Sequence, residues 1–237
     1  MGTNTFEGKT GDEYDLLLMS IPHYTQLESS VGKALRKAFT KSRNTNLRVL
    51  EIGCGSGITT PHILEADPRT FVTCLDIEPI MIDQARRRDW AKKYAGRIDF
   101  VVEDASKYLE RTKANSLDAV ASAYTLHNLE KDKRRKVVKQ IYDALTPEGV
   151  FVNADKIAQN GADHNKELRW QLNMFRVYDR IGRRDYREEW EKHYHYDNQP
   201  SIIWRERDLM ADLRNAGFKH IRRTFRKHME ATYVARK

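Results

Sequence analysis

Ten residues, Val49-Leu50-Glu51-Ile52-Gly53-Cys54-Gly55-Ser56-Gly57-Ile58, constrain this chain more than any others. An apolar run stops in a turn with glycine at every second position, and a helical stretch follows. Such a turn lets backbone approach a ligand closely, allows positive φ, and points free N–H groups at whatever binds there. The spacing excludes two common occupants. A dinucleotide fingerprint needs G-x-G-x-x-G, but the glycines here fall at 53, 55 and 57 and position 58 is Ile. A Walker loop needs Gly-Lys-Ser/Thr, which this stretch lacks. An acid, Glu51, stands two residues ahead of the first glycine.

Short apolar strands alternate with helical patterns downstream. Strands are expected at 47–52, 71–75, 98–102, 117–123 and 150–154, with helices at 59–66, 80–94 and 131–145 between them. That alternation argues a parallel sheet with helices on both faces, all strand C-terminal ends on one edge, and ligands beyond that edge. Glu51, the glycine turn, Asp76, Asp104, Tyr124 and Asp155 all reach it. Ahead of this core, residues 14–39 read as two helices broken at Pro22, a place for a lid that Tyr14 and Tyr24 could close. Residues 156–200 interrupt the alternation as a helical cap whose aromatics, Tyr186, Trp190 and Tyr194, either face a substrate or pack the core. A helix at 205–216 and two strands at 218–226 and 229–235 close the chain as an antiparallel hairpin. The fold expected is therefore α/β and Rossmann-like: a seven-stranded, mostly parallel sheet with helices on both faces. Residues 1–46 form the lid, and residues 47–237 the main domain with its cap at about 157–200.

Composition narrows the setting. Hydrophobic residues make up 40% of the 237, enough for a core, and no apolar run approaches the roughly 18 residues of a membrane span. The N-terminus lacks the apolar core of a signal peptide. The two cysteines, Cys54 and Cys74, fit neither a disulfide framework nor a zinc spacing, so a reducing cytoplasm is the simplest home. A net charge of +8 (42 basic minus 34 acidic) admits a nucleic-acid partner, yet the basic residues are scattered. The run Lys131, Lys133, Arg134, Arg135 and Lys139 on one helix reads as a solvated face.

The segments EIGCGSG, LDIEPIMIDQARR, VVEDA and LDAVASAYTLHNL together resemble the four signatures of the class I S-adenosylmethionine (SAM)-dependent methyltransferases. Residues 47–155 match their catalytic core in pattern. The resemblance implies SAM as cofactor, S-adenosylhomocysteine as product and a small-molecule methyl acceptor, with no membrane partner and a homodimer left open. Asp76, 19 residues after Gly57, is then placed to accept both ribose hydroxyls. Asp104 and the Ala105 N–H would meet adenine, and Ile77 and Met81 would sandwich its ring. The amino acid of SAM would lie on the turn near Glu51, Gly53, Cys54 and Gly55, with Ala123 at the end of the fourth strand. In-line transfer needs positioning above all. If the nucleophile must lose a proton, His127 is the best base by type, with Tyr124 and Asp155 behind it. His193 and His195 lie two apart on a helix and point to different faces, so no metal is expected.

Within the class the chain is similar to carboxy-SAM synthases, the tRNA-modification accessory enzymes. The likeness covers Ser20-Ile21-Pro22-His23-Tyr24, Asp76-x-x-Pro79-x-Met81 and Ile141-Tyr142-x-x-Leu145-x-Pro147-x-Gly149. It implies Tyr24, rather than Tyr14, as the lid residue on the cofactor. Two departures count against the closer identity. Ala123 stands where those relatives carry asparagine, and Asp185 separates Arg183 and Arg184 from Tyr186, where they place a carboxylate-binding arginine just before a tyrosine. Methyl transfer to a small molecule is the first reading. Carboxy-SAM synthesis, RNA methylation and SAM binding without turnover stand as alternatives. The Asn/Asp-Pro-Pro-aromatic motif of exocyclic-amine methylases is missing at the fourth strand's end, which argues against adenine or glutamine amide targets.

Overall fold

A computed structural model describes residues 13–237. Its seven-stranded sheet has the order β3-β2-β1-β4-β5-β7-β6. Strands β1 (Leu47–Ile52), β2 (Thr70–Asp76), β3 (Ile98–Val102), β4 (Leu117–Ala123) and β5 (Leu145–Lys156) run parallel. β6 (Lys219–Lys227) and β7 (Glu230–Arg236) close it as the expected antiparallel hairpin, with β7 also antiparallel to β5. β1 pairs with both β2 and β4, so the strand order reverses beside it. A ligand crevice opens at such a switch point.

Proline and arginine set two breaks near that crevice. Ahead of Pro22 the chain makes a 3-10 turn at Tyr14–Met19; after it, α1 runs over Tyr24–Phe39. Leu27, Val31, Leu35 and Phe39 form the buried stripe that seats α1 on the sheet. The helix expected at 80–94 is two helices, α3 (Pro79–Arg87) and α4 (Asp89–Lys93), following a short α2 (Thr60–Leu64). Arg88 is extended between them, and its guanidinium donates to the Ser56 carbonyl and Ser56 Oγ, each at 3.1 Å. The break thus anchors the glycine turn from below.

On the other flank, α5 (Ala105–Arg111) and α6 (Lys131–Ala144) pack with α10 (Glu206–Ala216) against β4, β5 and β7. The charged face expected on α6 is not all solvated. Arg134 is fully buried over the Trp204 ring, and its Nη1 donates to the carbonyls of Leu129 (2.9 Å) and Ile202 (2.8 Å). The cap is three helices, α7 (Asp163–Met174), α8 (Val177–Arg180) and α9 (Arg184–Asp197). Its aromatics pack the lid: Tyr178 OH donates to the Leu16 carbonyl (3.0 Å), Tyr186 OH to that of Glu13 (3.0 Å), and Trp190 and Tyr194 are buried in the same core. No helix among the described residues is long and apolar enough to cross a membrane.

Two carboxyls are buried where α1, α2 and β1 meet. Thr60 Oγ1 donates to Glu51 Oε2 at 2.7 Å, and Thr59 Oγ1 donates to Glu28 Oε2. Burial pushes both up to about 8; for Glu28 the nearby Glu51 charge adds to it. Each therefore keeps its proton in the fold over a range where the unfolded chain, near 4.5, has lost it. Their stabilisation is full below that range and is lost as pH rises toward 8. Buried His193, pushed down to about 4, works the other way, but only below 6.5. The thermal midpoint is expected to fall between pH 6.5 and 8, and to fall less in Glu28→Gln; equal slopes in both proteins would contradict this. Gly57 has φ +80°, and a Cβ there would meet Trp90 at 2.3 Å. Gly57→Ala should cost about 1–3 kcal/mol in urea unfolding; an unchanged midpoint would show that the turn yields.

Candidate active site

The glycine turn forms the floor of the site. Gly53, Gly55 and Gly57 all have positive φ, which non-glycine residues adopt rarely. The N–H groups of Gly53 and Cys54 donate to the Leu75 carbonyl (2.7 and 3.0 Å), tying the turn to β2. The Gly55 N–H donates to Asp76 Oδ2 at 2.8 Å, and the Glu78 N–H to Asp76 Oδ1 at 2.9 Å. Two backbone donors therefore aim the Asp76 carboxylate and leave each oxygen a second lone pair. Burial raises its pKa while those N–H bonds oppose the rise.

A cavity of about 440 Å³ opens above this floor. It brings together most residues singled out from the sequence: Tyr24, Gly53, Cys54, Gly55, Asp76, Ile77, Met81, Asp104, Ala105, Ala123 and Tyr124. Ile77 is 54% exposed beside buried Met81, an open apolar platform next to the Asp76 carboxylate. Asp104 caps α5, its Oδ1 accepting the N–H groups of Ser106 (2.9 Å) and Lys107 (3.2 Å), while Lys133 Nζ donates to Oδ2 (2.9 Å). Burial pulls its pKa up, but Lys133 and the two N–H groups outweigh this and hold it low. At the inner end Tyr24 stacks flat on Tyr124, centroids 5.0 Å apart. Tyr124 has φ +47°, strained backbone of the kind found at functional sites.

Several expected residues lie elsewhere. Glu51 is buried under the turn, bonded to Thr60 and absent from the cavity wall, so it cannot touch the amino acid of SAM there. Tyr14 opens the 3-10 turn, but its side chain lies outside what the structure describes. His127 and Asp155 are also missing from the wall. Asp155 accepts the His127 N–H at 3.1 Å and bonds its ring Nδ1, which locks the imidazole behind Tyr124. The ring that does line the cavity is His193, from the cap. Its Nε2 lies 3.2 Å from Asp197 Oδ2, and burial pushes its pKa down to about 4, so it is neutral at pH 7. His127, His193 and Asp197 converge closely enough to ligate a cation, yet the Lys156 ammonium already bonds Asp197 Oδ2.

Glu28 and Tyr196 line the cavity without having been named from the sequence, and so do Lys133, expected on a solvated face, and His193, weighed only as a metal ligand. Glu28 lies one helical turn beyond Tyr24, so a lid helix carrying Tyr24 pointed to it. Nothing local signals His193, because only the docking of α9 brings it over the strand ends. The donor set fits SAM: an aimed carboxylate for a ribose diol, an apolar platform for adenine, and a glycine floor for the amino acid.

A methyltransferase-domain family profile matches residues 49–149. Carboxy-S-adenosyl-L-methionine synthase of Campylobacter curvus is 24% identical over 223 residues, covering 93% of this chain and 88% of that protein. The synthase of Yersinia pestis (strain Pestoides F) is 27% identical over 70% of this chain and 59% of its own. Among solved structures, the CurJ carbon methyltransferase superposes with a TM-score of 0.67 at 16% identity, over 96% of this chain and 59% of that one. The mitomycin 7-O-methyltransferase MmcR superposes with a TM-score of 0.56 at 17% identity, over 88% and 54%. This chain therefore spans little more than half of either structure's chain. The strands that carry the cavity thus match a methyltransferase domain, and the sheet they belong to is one shared with solved methyltransferases.

Proposed function

We propose that this chain transfers the methyl group of SAM to a small-molecule acceptor held between the sheet edge and the cap. The observation that carries the reading is Asp76, held by backbone donors from the glycine turn and from Glu78 with its carboxylate in the cavity wall. SAM, when bound, supplies a methyl carbon on a sulfonium that any well-placed nucleophile can displace. Asp76 holds the ribose; Ile77 and Met81 flank the adenine, with Ala105 beside it. Tyr24 and Tyr124 cover the reacting end and exclude water. His193, rather than His127, accepts a proton from the acceptor, with Asp197 on its Nε2 orienting the ring. The lid, of whose residues 1–46 the first twelve lie outside the described residues, and the cap at 157–200 act as covers on the 47–237 domain through residues 13–46 and the cap helices. Two free buried cysteines suit a cytoplasmic setting.

The alternatives find less support. Carboxy-SAM synthesis, the activity named for the relatives, places a carboxylate beside the sulfonium. No arginine is among the described lining residues, and the lining lysine, Lys133, is held by Asp104. Arg183 is paired with Glu13 and Asp185, and Arg184 with Glu188. RNA methylation calls for a basic mouth, but Asp76, Glu78, Glu103 and Asp104 line this one.

Asp76→Ala should weaken SAM binding by about 1–3 kcal/mol in calorimetry, since ribose hydroxyls lose their acceptor; unchanged affinity would remove Asp76 from that role. His193→Gln should lower kcat by roughly a hundredfold with little change in SAM affinity. An equal loss in His127→Gln alone would return the proton transfer to the buried pair.

A further inference from the structure

The acceptor end of the cavity has a charge character of its own. The chain is basic, at +8, yet the cavity wall carries Glu28, Asp76, Glu78, Glu103 and Asp104 against one lysine, Lys133, already on Asp104. Asp76 and Asp104 belong to the nucleoside end. Around the inner end stand Tyr24, Tyr124, Tyr196, His193 and Glu28. These are aromatic faces, a neutral imidazole and a carboxyl, with no arginine or lysine among them.

Tyr24 and Tyr124 lie within 4° of parallel. Burial first, and then the nearby Glu230 and Glu28 carboxyls, hold the proton on the Tyr124 hydroxyl. That hydroxyl and the Glu230 carboxyl are buried together, and the phenol is the side-chain donor nearest to Glu230. Burial pushes Glu230 up to about 7 and Glu28, with Glu51 beside it, to about 8. An anionic group entering here meets π faces and carboxyls with nothing to neutralise it. A cation meets ring faces that attract it and carboxyls that gain by ionising.

We propose that this inner end is a receptor for a nitrogen base, so that the methyl acceptor is an amine docked against Tyr24, Tyr124 and Glu28. The proposal rests on the methyl-transfer reading and names its substrate class. Glu28 ionises against the docked ammonium, which then passes one proton to neutral His193 and so frees the nitrogen lone pair. The N–C bond then forms as the C–S bond breaks, and the bonding pair stays on sulfur. Positive charge moves from sulfur to nitrogen, and S-adenosylhomocysteine leaves beside an N-methylammonium product. The subsite stabilises that arriving charge where an anionic or neutral acceptor gains nothing.

Three probes share one ring and differ in charge: benzylamine, benzyl alcohol and benzoate. Their binding is measured by calorimetry on the full chain saturated with S-adenosylhomocysteine. Benzylamine is expected to bind about tenfold more tightly than benzyl alcohol, and benzoate more weakly than either. Glu28→Gln, with Glu230→Gln as the second variant, should bring benzylamine to the level of the alcohol while SAM affinity holds. Equal binding of all three, tighter benzoate, or no benzylamine binding at millimolar concentration overturns the proposal. So does a Glu28→Gln loss that falls equally on SAM, because it gives Glu28 to the cofactor. Wild-type protein that binds neither SAM nor S-adenosylhomocysteine instead fails the methyltransferase reading itself, and the amine proposal with it.

Discussion

One hydrogen bond, from the Gly55 N–H to the Asp76 carboxylate, joins the two halves of the site. It forms only because the turn after β1 takes positive φ at three alternate residues, and only glycine does so without cost. The surroundings press on that turn at both ends, while Gly55 between them opens on the cavity. Thr125 fills the place of a Gly53 side chain, Trp90 that of Gly57, and Arg88 clasps Ser56. The break between α3 and α4 therefore has a purpose. A straight helix through 88 would carry that guanidinium away from Ser56 and leave the turn without its support.

Electrostatics divides the cavity into two ends. At the nucleoside end the acids are satisfied: Asp76 by two backbone donors, Asp104 by a helix start and Lys133. At the inner end burial dominates instead: Glu28 on the wall, bonded by Thr59, and Glu230 near the Tyr124 hydroxyl hold protons that a solvated carboxyl would release. Behind both, His127 with Asp155 and His193 with Asp197 and Lys156 form a buried polar layer that joins β5 to the cap. Buried charges survive when paired, and here pairing also aims His193 at the cavity.

The fold was legible because its signal is local. Apolar runs of strand length, four of the five ended by an acid or glycine and the fourth by Tyr124, foretold the five parallel strands, and Pro22 foretold the break ahead of α1. Asp76, Ile77, Met81, Asp104 and Ala105 were expected at the sheet edge and line the cavity, each at a strand's end or within five residues of it. Facing was harder to read. Glu51 ends a strand too, but its side chain points to the α1–α2 side and bonds Thr60. His127 follows a strand end and still turns inward to Asp155, because a buried carboxylate there needs a donor. Arg134 and Lys133 are neighbours on one helix, yet one is sealed over Trp204 and the other reaches Asp104; residue type alone does not separate them. His193 depends on how the cap docks, which no periodicity within α9 encodes.

The central claim is that the glycine turn and Asp76 clasp a single nucleoside at the switch point of the sheet. A crystal structure with S-adenosylhomocysteine tests it most directly. The account predicts both ribose hydroxyls on the Asp76 carboxylate, the adenine between Ile77 and Met81, and the sulfur facing Tyr24 and Tyr124. A nucleoside lodged away from Asp76, or a turn that swings off Arg88 to admit it, would contradict the account.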